Sequence, residues 1–391
     1  MVEETGVSRE DSARMATKVL RLGVLGPLEM TVDGELVPLG TPKQRAVLAM
    51  LVINRNQPVG MNALINAAWE QWPPPGAKAS IHSYVSNIRR LLTEHGVDPR
   101  AVLVSAAPGY RLSIGDRECD LGTFIAEKNA GVVAAASSRF EQASRHLTAA
   151  LAEWRGPVLD DLREFQFVDS LATALVEDKV VAQTARAEAE IACGRGYTVI
   201  GELEALTGEH PYREPVWTQL ITAYYLADRQ SDALEAYRRL KTTLADDLGI
   251  DPGPTVRALH ERILRQEPLD VKHQARTTAV GAVTVLEQRT TMAGQGAVAA
   301  LRDTSGHRHP LQAVATRIGR LADNDIVIDD AKVSRHHAVI IDTGTRFVIN
   351  DLRSANGIHL RQERVHTSAT LNDGDPIRIC GHEFTFELGP R

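Results

Sequence analysis

Along the 391-residue chain the spacing of apolar positions changes several times. From Val19 to Leu39 apolar and polar residues alternate through Leu22, Val24, Leu28, Met30 and Val32, with turn signals at Gly26-Pro27 and Asp33-Gly34. A period of two bounded by such turns predicts a small antiparallel sheet. The period then lengthens to that of a helix. Thr41 can cap a helix that begins at Pro42 and uses Ala46, Leu48, Ala49 and Leu51 to Ile53 as its apolar face. A second helix fits Met61 to Trp69 and stops before Trp72-Pro73-Pro74-Pro75-Gly76, because three prolines cannot continue it. A third, Ala79 to Leu92, gathers Ile81, Tyr84, Val85, Ile88, Leu91 and Leu92 on one side. Its other side carries His82, Ser83, Ser86, Asn87, Arg89 and Arg90, with no acid. Val102 to Val104 and Tyr110 to Ile114, joined through Pro108-Gly109, read as a two-stranded wing.

From about residue 116 to 267 the pattern is helical throughout and rich in Ala, Leu and Glu. Its clearest unit is Trp217, Leu220, Ala223 and Tyr224, a polar turn near Asp228, then Ala233 and Tyr237. These are the large and small packing positions of a tetratricopeptide repeat, with Ile221 where Gly is common. Phe140, Ala143, Leu147, Leu151 and Trp154 form a looser copy. Residues 268–296 turn polar and Thr-rich without sustained periodicity, which predicts a linker. Thr277, Thr278, Thr284, Thr290 and Thr291 are acceptors for phosphorylation there, although a linker tolerates threonine for its polarity alone. Beyond residue 297 short β-branched runs predict an all-β sandwich: 313–318, 326–328, 338–341, 347–351, 377–380 and 383–387. Turns at Asp342-Thr343-Gly344, Asn356-Gly357 and Asn372-Asp373-Gly374 separate them. The fold class is thus multidomain α+β: a winged helix over 19–115, an all-α domain over 116–267 and a sandwich over 297–391. The polar, charged residues 1–18 form a loose tail.

Composition narrows the function. The net charge of −6 gives no overall nucleic-acid signature, yet between Thr41 and Arg111 eight Lys or Arg face three Asp or Glu. That local excess is the electrostatic footprint DNA binding requires. A polar helix face alone is commonly just solvated; sheet, three helices and wing in this order favour DNA. Cys119, Cys193 and Cys380 form no CxxC pair and no even-numbered framework, which fits a reducing, cytoplasmic setting. No apolar run is long enough to insert in a membrane. No phosphate-binding loop, HExxH or nucleophile motif is present, and adjacent His336 and His337 point apart, so no enzyme, cofactor or metal site is expected.

Three polar clusters interrupt the last strands: Thr316 to Arg320, Ser334 to His337, and Ser354 to Gly357. An Arg fork, a hydroxyl and an amide brought together at loop tips can read a phosphate.

Several stretches resemble known families. Thr41-Pro42-Lys43-Gln44-Arg45, Ser80 to Leu92 and Pro108-Gly109-Tyr110-Arg111-Leu112 resemble the winged helix of the OmpR/PhoB type, as used by Streptomyces antibiotic regulatory proteins. That resemblance implies that the Ala79 to Leu92 helix enters promoter DNA, that the Trp72 loop faces RNA polymerase, and that Arg111 reaches a minor groove or phosphate. The receiver domain that usually precedes this module is missing, so the switch is expected elsewhere. The middle region, with Gly249 to Pro254 near its end, resembles the bacterial transcriptional activation domain. It implies a scaffold for self-association, as a homodimer, or for contact with the transcription machinery.

Gly319-Arg320, Ser334-x2-His337, Asn356-Gly357 and Leu371 to Asp375 resemble the forkhead-associated domain, a phosphothreonine reader. By that resemblance Arg320 and Ser334 contact phosphate, Asn356 holds the ligand backbone, Gly319, His337 and Gly357 shape the loops, and Arg335 and Ser354 assist. Together the three modules resemble a mycobacterial family of regulators of cell-wall arabinosyltransferase genes. The resemblance implies docking on a phosphorylated Ser/Thr protein kinase and phosphorylation of the chain itself. A paralogous adaptor or decoy that captures the kinase is the competing reading.

Overall fold

The computed structural model describes residues 18–70, 72–293, 299–311, 315–321, 324–342, 346–352, 354–365 and 368–388, and the side chains of 284–293 lie outside the described residues. The expected tail over 1–17, the turn at Thr343-Gly344 and the side chains of Thr284, Thr290 and Thr291 therefore also lie outside them.

The first part is a winged helix. Strands β1 (Leu20–Gly23), β2 (Glu29–Val32) and β3 (Glu35–Leu36) form an antiparallel sheet. It leads to α1 (Pro42–Ile53), whose N-cap Thr41 accepts from the Gln44 amide. Then follow β4 (Val59–Gly60), α2 (Met61–Trp69), α3 (Ala77–Glu94), the short α4 (Pro99–Val102), β5 (Leu103–Ala106) and β6 (Gly109–Leu112). β5 and β6 pair as the wing, and β4 adds a third strand against β6.

The middle is helical: α5 (Asp120–Ala136), α6 (Phe140–Ala152), α7 (Gln166–Ala192), α8 (Ile200–Glu209), α9 (Glu214–Leu226), α10 (Gln230–Leu248), α11 (Pro254–Leu264) and α12 (Val271–Ala293). Helices α9 and α10 are the expected repeat pair, with Trp217, Tyr224 and Tyr237 buried as core and Asp228 at the turn with φ 58°. Part of this region shares one apolar core with the winged helix, in which Leu22 and Val24 join Phe124 and Leu147. Asp120 seals the seam by accepting from the backbone of Val24 and Leu25.

Helix α12 corrects the expected linker over 268–296. Its threonines hid the helical pattern, because β-branched residues disfavour helix locally. Ala275 and Ala279, one turn apart, pack on Ala134, Ala135, Ala143, Ala189 and Ala192 of α5, α6 and α7. Thr277 and Thr278 return their hydroxyl protons to the helix carbonyls of His273 and Gln274. Tertiary packing thus overrides propensity.

The last part is a β-sandwich built from β7 (Ala299–Asp303), β8 (Arg308–Pro310), β9 (Ala315–Gly319), β10 (Ile326–Val327), β11 (Ala338–Asp342), β12 (Phe347–Asp351), β13 (Ile358–Leu360), β14 (Glu363–Val365), β15 (Ser368–Leu371), β16 (Pro376–Ile379) and β17 (His382–Leu388). One sheet runs β10-β9-β11-β12-β15, the other β14-β13-β16-β17-β7-β8. Ile318, Ile340 and Ile349 face Ile358, Ile379 and Phe386 across the core. The residues on the opposite face, Val339, Ile341 and Val348, are also buried, against Ala174 of α7. Packing on both faces explains why β11 and β12 are apolar almost throughout rather than alternating. Polar contacts reinforce the seam: Asn350 Nδ2 donates to the Ser170 carbonyl at 2.9 Å, and Asp178 binds both Lys128 at 2.9 Å and Arg346 at 3.1 Å.

Candidate functional site

At one end of the sandwich three loops meet. β9 ends in Gly319, and the Arg320 amide donates to the Ser334 carbonyl at 3.1 Å, so the Arg side chain leaves the sheet beside Ser334 and is exposed. A Cβ on Gly319 would stand 2.3 Å from the Arg335 carbonyl oxygen, a distance no side chain tolerates. Gly319 is therefore required by close approach of the two loops. Gly357 meets a different demand: its φ of +73° lies in the left-handed region that favours glycine.

His337 holds these loops together. It is fully buried, its Nδ1 accepts from the Ser334 amide at 3.1 Å, and its Nε2 reaches the Gly357 carbonyl at 3.1 Å. A backbone amide can only donate and a carbonyl only accept, so the ring is the tautomer with its proton on Nε2. The ring thereby staples the Ser334 loop to the Asn356-Gly357 turn. Ser334 Oγ accepts from the Ala355 amide at 3.1 Å, which leaves its own proton to point outward. Ser354 shapes the same turn, with its Oγ accepting from the Gly357 amide and its amide donating to Asp351. Asn356 is exposed and its Nδ2 donates to the Lys332 carbonyl at 2.7 Å. Arg335 is exposed next to Ser334. Two exposed guanidinium groups, a hydroxyl donor and an amide thus rim one shallow surface, which is the donor set a phosphate monoester and its peptide need.

Two supports at this rim were not read from the sequence. Asn324, buried just ahead of β10, donates to the carbonyls of Leu321 and Arg335 at 2.8 Å each and faces His336. Cys380 lies behind Asn356, its thiol raised above the usual range mainly by burial and its Sγ 3.1 Å from the Lys332 carbonyl. A lone amide before Ile326 was the signal available for Asn324; nothing local marked Cys380.

The second surface is the outer face of α3. Its buried side uses Ile81, Val85, Ile88 and Leu92, and His82, Ser83, Ser86, Asn87 and Arg90 are exposed. His82 meets the Tyr110 hydroxyl at 2.7 Å, and Asn87 donates to the buried Gln44 at 3.2 Å. Arg90 pairs with Glu94 along the helix. Arg89 departs from the expected outward set. Its guanidinium donates to the Leu103 carbonyl at 3.0 and 2.8 Å and to Ser105, and lies over the Tyr110 ring, so it braces the wing. Arg111 is half-buried on the wing and donates to Ser113. Trp72, 82% exposed, stands in the loop between α2 and α3.

Among the described residues no helix is long and apolar enough to cross a membrane, and no cluster of His, Cys, Asp and Glu could hold a metal ion.

Three family models match the chain: the C-terminal domain of transcriptional regulatory proteins at 34–112, the bacterial transcriptional activator domain at 119–264 and the FHA domain at 316–380. All three are regulatory or signalling modules and none is catalytic. The class is that of a DNA-binding transcriptional regulator joined to a phosphopeptide-recognition module. The transcriptional regulatory protein EmbR of Mycobacterium tuberculosis is 74% identical over 372 residues, covering 95% of this chain and 96% of that protein. MoaR1 of M. tuberculosis is 54% identical over 252 residues, covering 64% of this chain and 81% of its own length. DnrI of Streptomyces peucetius is 30% identical over 254 residues, with 64% and 93% covered. A solved structure of M. tuberculosis EmbR in complex with a low-affinity phosphopeptide superposes with a TM-score of 0.92 at 73% identity, over 96% of this chain and 99% of that one. The chain belongs to the EmbR family of transcriptional regulators.

Proposed function

We propose that this regulator is controlled by Ser/Thr protein kinase signalling: Arg320 and Ser334, assisted by Arg335, hold the phosphate of a phosphothreonine, and Asn356 holds the peptide that carries it. The observation that carries this reading is the His337 staple, which brings Ser334 and the Asn356-Gly357 turn to one rim beside Arg320. The solved relative is a phosphopeptide complex, which supports the same use of the site here. On the DNA side, His82, Ser83, Ser86, Asn87 and Arg90 read or position promoter DNA in a major groove, and Arg111 takes a phosphate or minor groove. Arg89 acts through the wing. The exposed Trp72 is the contact offered to RNA polymerase, and the kinase, the DNA and this chain meet in the cytoplasm. The resemblance of the three modules to regulators of cell-wall arabinosyltransferase genes supports those genes as the target, and self-association as a homodimer is the role this reading gives the helical middle.

Arg320→Ala and Asn356→Ala each abolish binding of a phosphothreonine peptide, measured by fluorescence anisotropy, while promoter affinity by mobility shift stays within about twofold. Wild-type peptide affinity in both variants would overturn the site. Genome-wide footprinting with and without Asn87→Ala separates regulator from decoy: a decoy yields no reproducible sites that the substitution removes.

A further inference from the structure

A part-open cavity of about 250 Å³ lies between α7 and α12, floored by α5, α6 and the start of α9. Val132, Leu147, Val180, Val181 and Val216 form its apolar walls. Among its described side chains, α12 turns toward it Ala275, Thr278, Ala279 and Ala282, each too short to reach across. A larger cleft of about 730 Å³ adjoins it and shares Glu188, Pro215 and Thr278, giving a route inward with Glu188 at the neck.

Apart from Arg213, the polar groups on the described cavity wall can act as acceptors. Thr184 Oγ1 gives its proton to the Val180 carbonyl at 2.8 Å, and Thr278 Oγ1 gives its proton to Gln274 at 3.2 Å. Both hydroxyls therefore offer only lone pairs. Glu188 Oε1 accepts from Gln219 Nε2 at 2.8 Å, and once ionised the carboxylate is likewise only an acceptor. Arg213, the one donor among the described lining residues, is tied to Glu177. From the adjoining cleft, Glu214 holds the Gly253 amide, Arg262 holds the Pro268 carbonyl, and His273 completes the charged surroundings. An apolar hollow whose neck offers only acceptors once Glu188 is ionised suits a molecule with a hydrocarbon body and a donor-only head. We propose that this cavity binds a small apolar primary amine, its body among the valines and its ammonium on Glu188, Thr184 and Thr278.

The volume suits a phenyl ring with a short aliphatic chain, since a cavity of about 150 Å³ already holds benzene. Burial pushes the Glu188 carboxyl up to about 8, so at neutral pH the empty site carries it mostly protonated. An arriving ammonium favours the carboxylate, and the carboxyl proton leaves to solvent. The cavity shares no described lining residue with the phosphate rim or with α3.

The test uses the full chain, 2-phenylethylamine and its neutral counterpart 2-phenylethanol, by titration calorimetry at pH 7 in two buffers of different ionisation heat. The amine is expected to bind saturably, with an enthalpy that changes with buffer as a proton is released, and at least tenfold more tightly than the alcohol. Glu188→Gln is expected to lose at least tenfold and Ala279→Leu to lose binding altogether. Melting curves establish that each variant folds. If either does not, Thr184→Val replaces the first and Ala282→Leu the second, with the same expected losses. No saturable heat at millimolar amine, equal affinity for the alcohol, or affinity unchanged in the folded variants overturns the proposal.

Discussion

Replacing His337 with alanine removes a ring that touches no ligand yet sets the spacing of the phosphate rim. The substitution leaves the Ser334 amide and the Gly357 carbonyl without the partners they have at 3.1 Å each, in a place where the ring itself is fully buried. An orphaned buried polar group costs about 1–3 kcal/mol, so the intact rim is disfavoured by about 2–6 kcal/mol if it stays closed. The loops escape part of that cost by opening to water. Peptide must then re-close them, and apparent affinity falls by the fraction of molecules still closed. A net bias of about 2 kcal/mol toward the open form weakens binding about 30-fold. Anisotropy titration of a labelled phosphothreonine peptide reads this directly. His337→Asn can keep an acceptor near Nδ1 and His337→Gln a donor near Nε2, so each is expected to fall between wild type and alanine. A folded His337→Ala protein with wild-type peptide affinity would show that the loops hold their spacing without the ring.

Other outcomes follow from the same contacts. Arg89→Ala frees the Leu103 carbonyl and loosens the wing, so it should lower stability by about 1–3 kcal/mol; Arg90→Ala breaks only an exposed pair, leaves the melting temperature within a degree or so, and reduces the salt dependence of promoter binding by about one phosphate contact. The opposite ranking would refute the division of roles. Asp178→Ala removes the buried carboxylate that pairs with both Lys128 and Arg346 and should cost about 3–5 kcal/mol in denaturant titration, whereas Arg346→Ala leaves the Lys128–Asp178 pair in place and costs less. Glu188 has a folded-state value, about 8, above its ordinary one, so the folded protein binds the extra proton between about pH 4.5 and 8 and wild-type stability falls as pH rises through that window. Glu188→Gln does not titrate; its melting temperature relative to wild type should climb by a few degrees from pH 5 to pH 8, and a pH-independent difference would contradict the burial argument.

What could be read from the sequence depended on whether the deciding interaction was local. Gly319-Arg320 and Asn356-Gly357 were legible because turn chemistry and strand spacing mark them within a few residues. The face of α3 was legible because helical period separates Ile81, Val85 and Ile88 from Ser83, Ser86 and Arg90. Arg89 was not, because the wheel gives its direction but not the Leu103 carbonyl waiting across the wing. Helix α12 was hidden for the same reason: Ala275 and Ala279 look featureless until the alanines of α5, α6 and α7 are brought against them. Strands β13 and β14, three residues each, were too short to produce a period.

The contacts between modules bear on how a signal read at the rim reaches DNA. Arg320 lies three residues after Arg317 on the same segment. With the Asn66 amide turned so that its oxygen faces the sandwich, Asn66 on α2 accepts from Arg317 Nη1 at 2.8 Å and donates to the Glu70 carbonyl at 2.8 Å. Glu70 Oε1 in turn accepts the Gln166 amide at 2.9 Å, at the first residue of α7. Winged helix, helical middle and sandwich therefore meet at one junction beside the phosphate loops, and a further seam is closed by Asp178, shared between a buried lysine and Arg346. Separating that seam takes Arg346 from a buried carboxylate, which is costly, whereas a bare tether would cost nothing to extend. Ligand binding at the rim thus acts on a packed three-part body, and any change in DNA affinity has to come from differential stability of packed arrangements rather than from release of a flexible string.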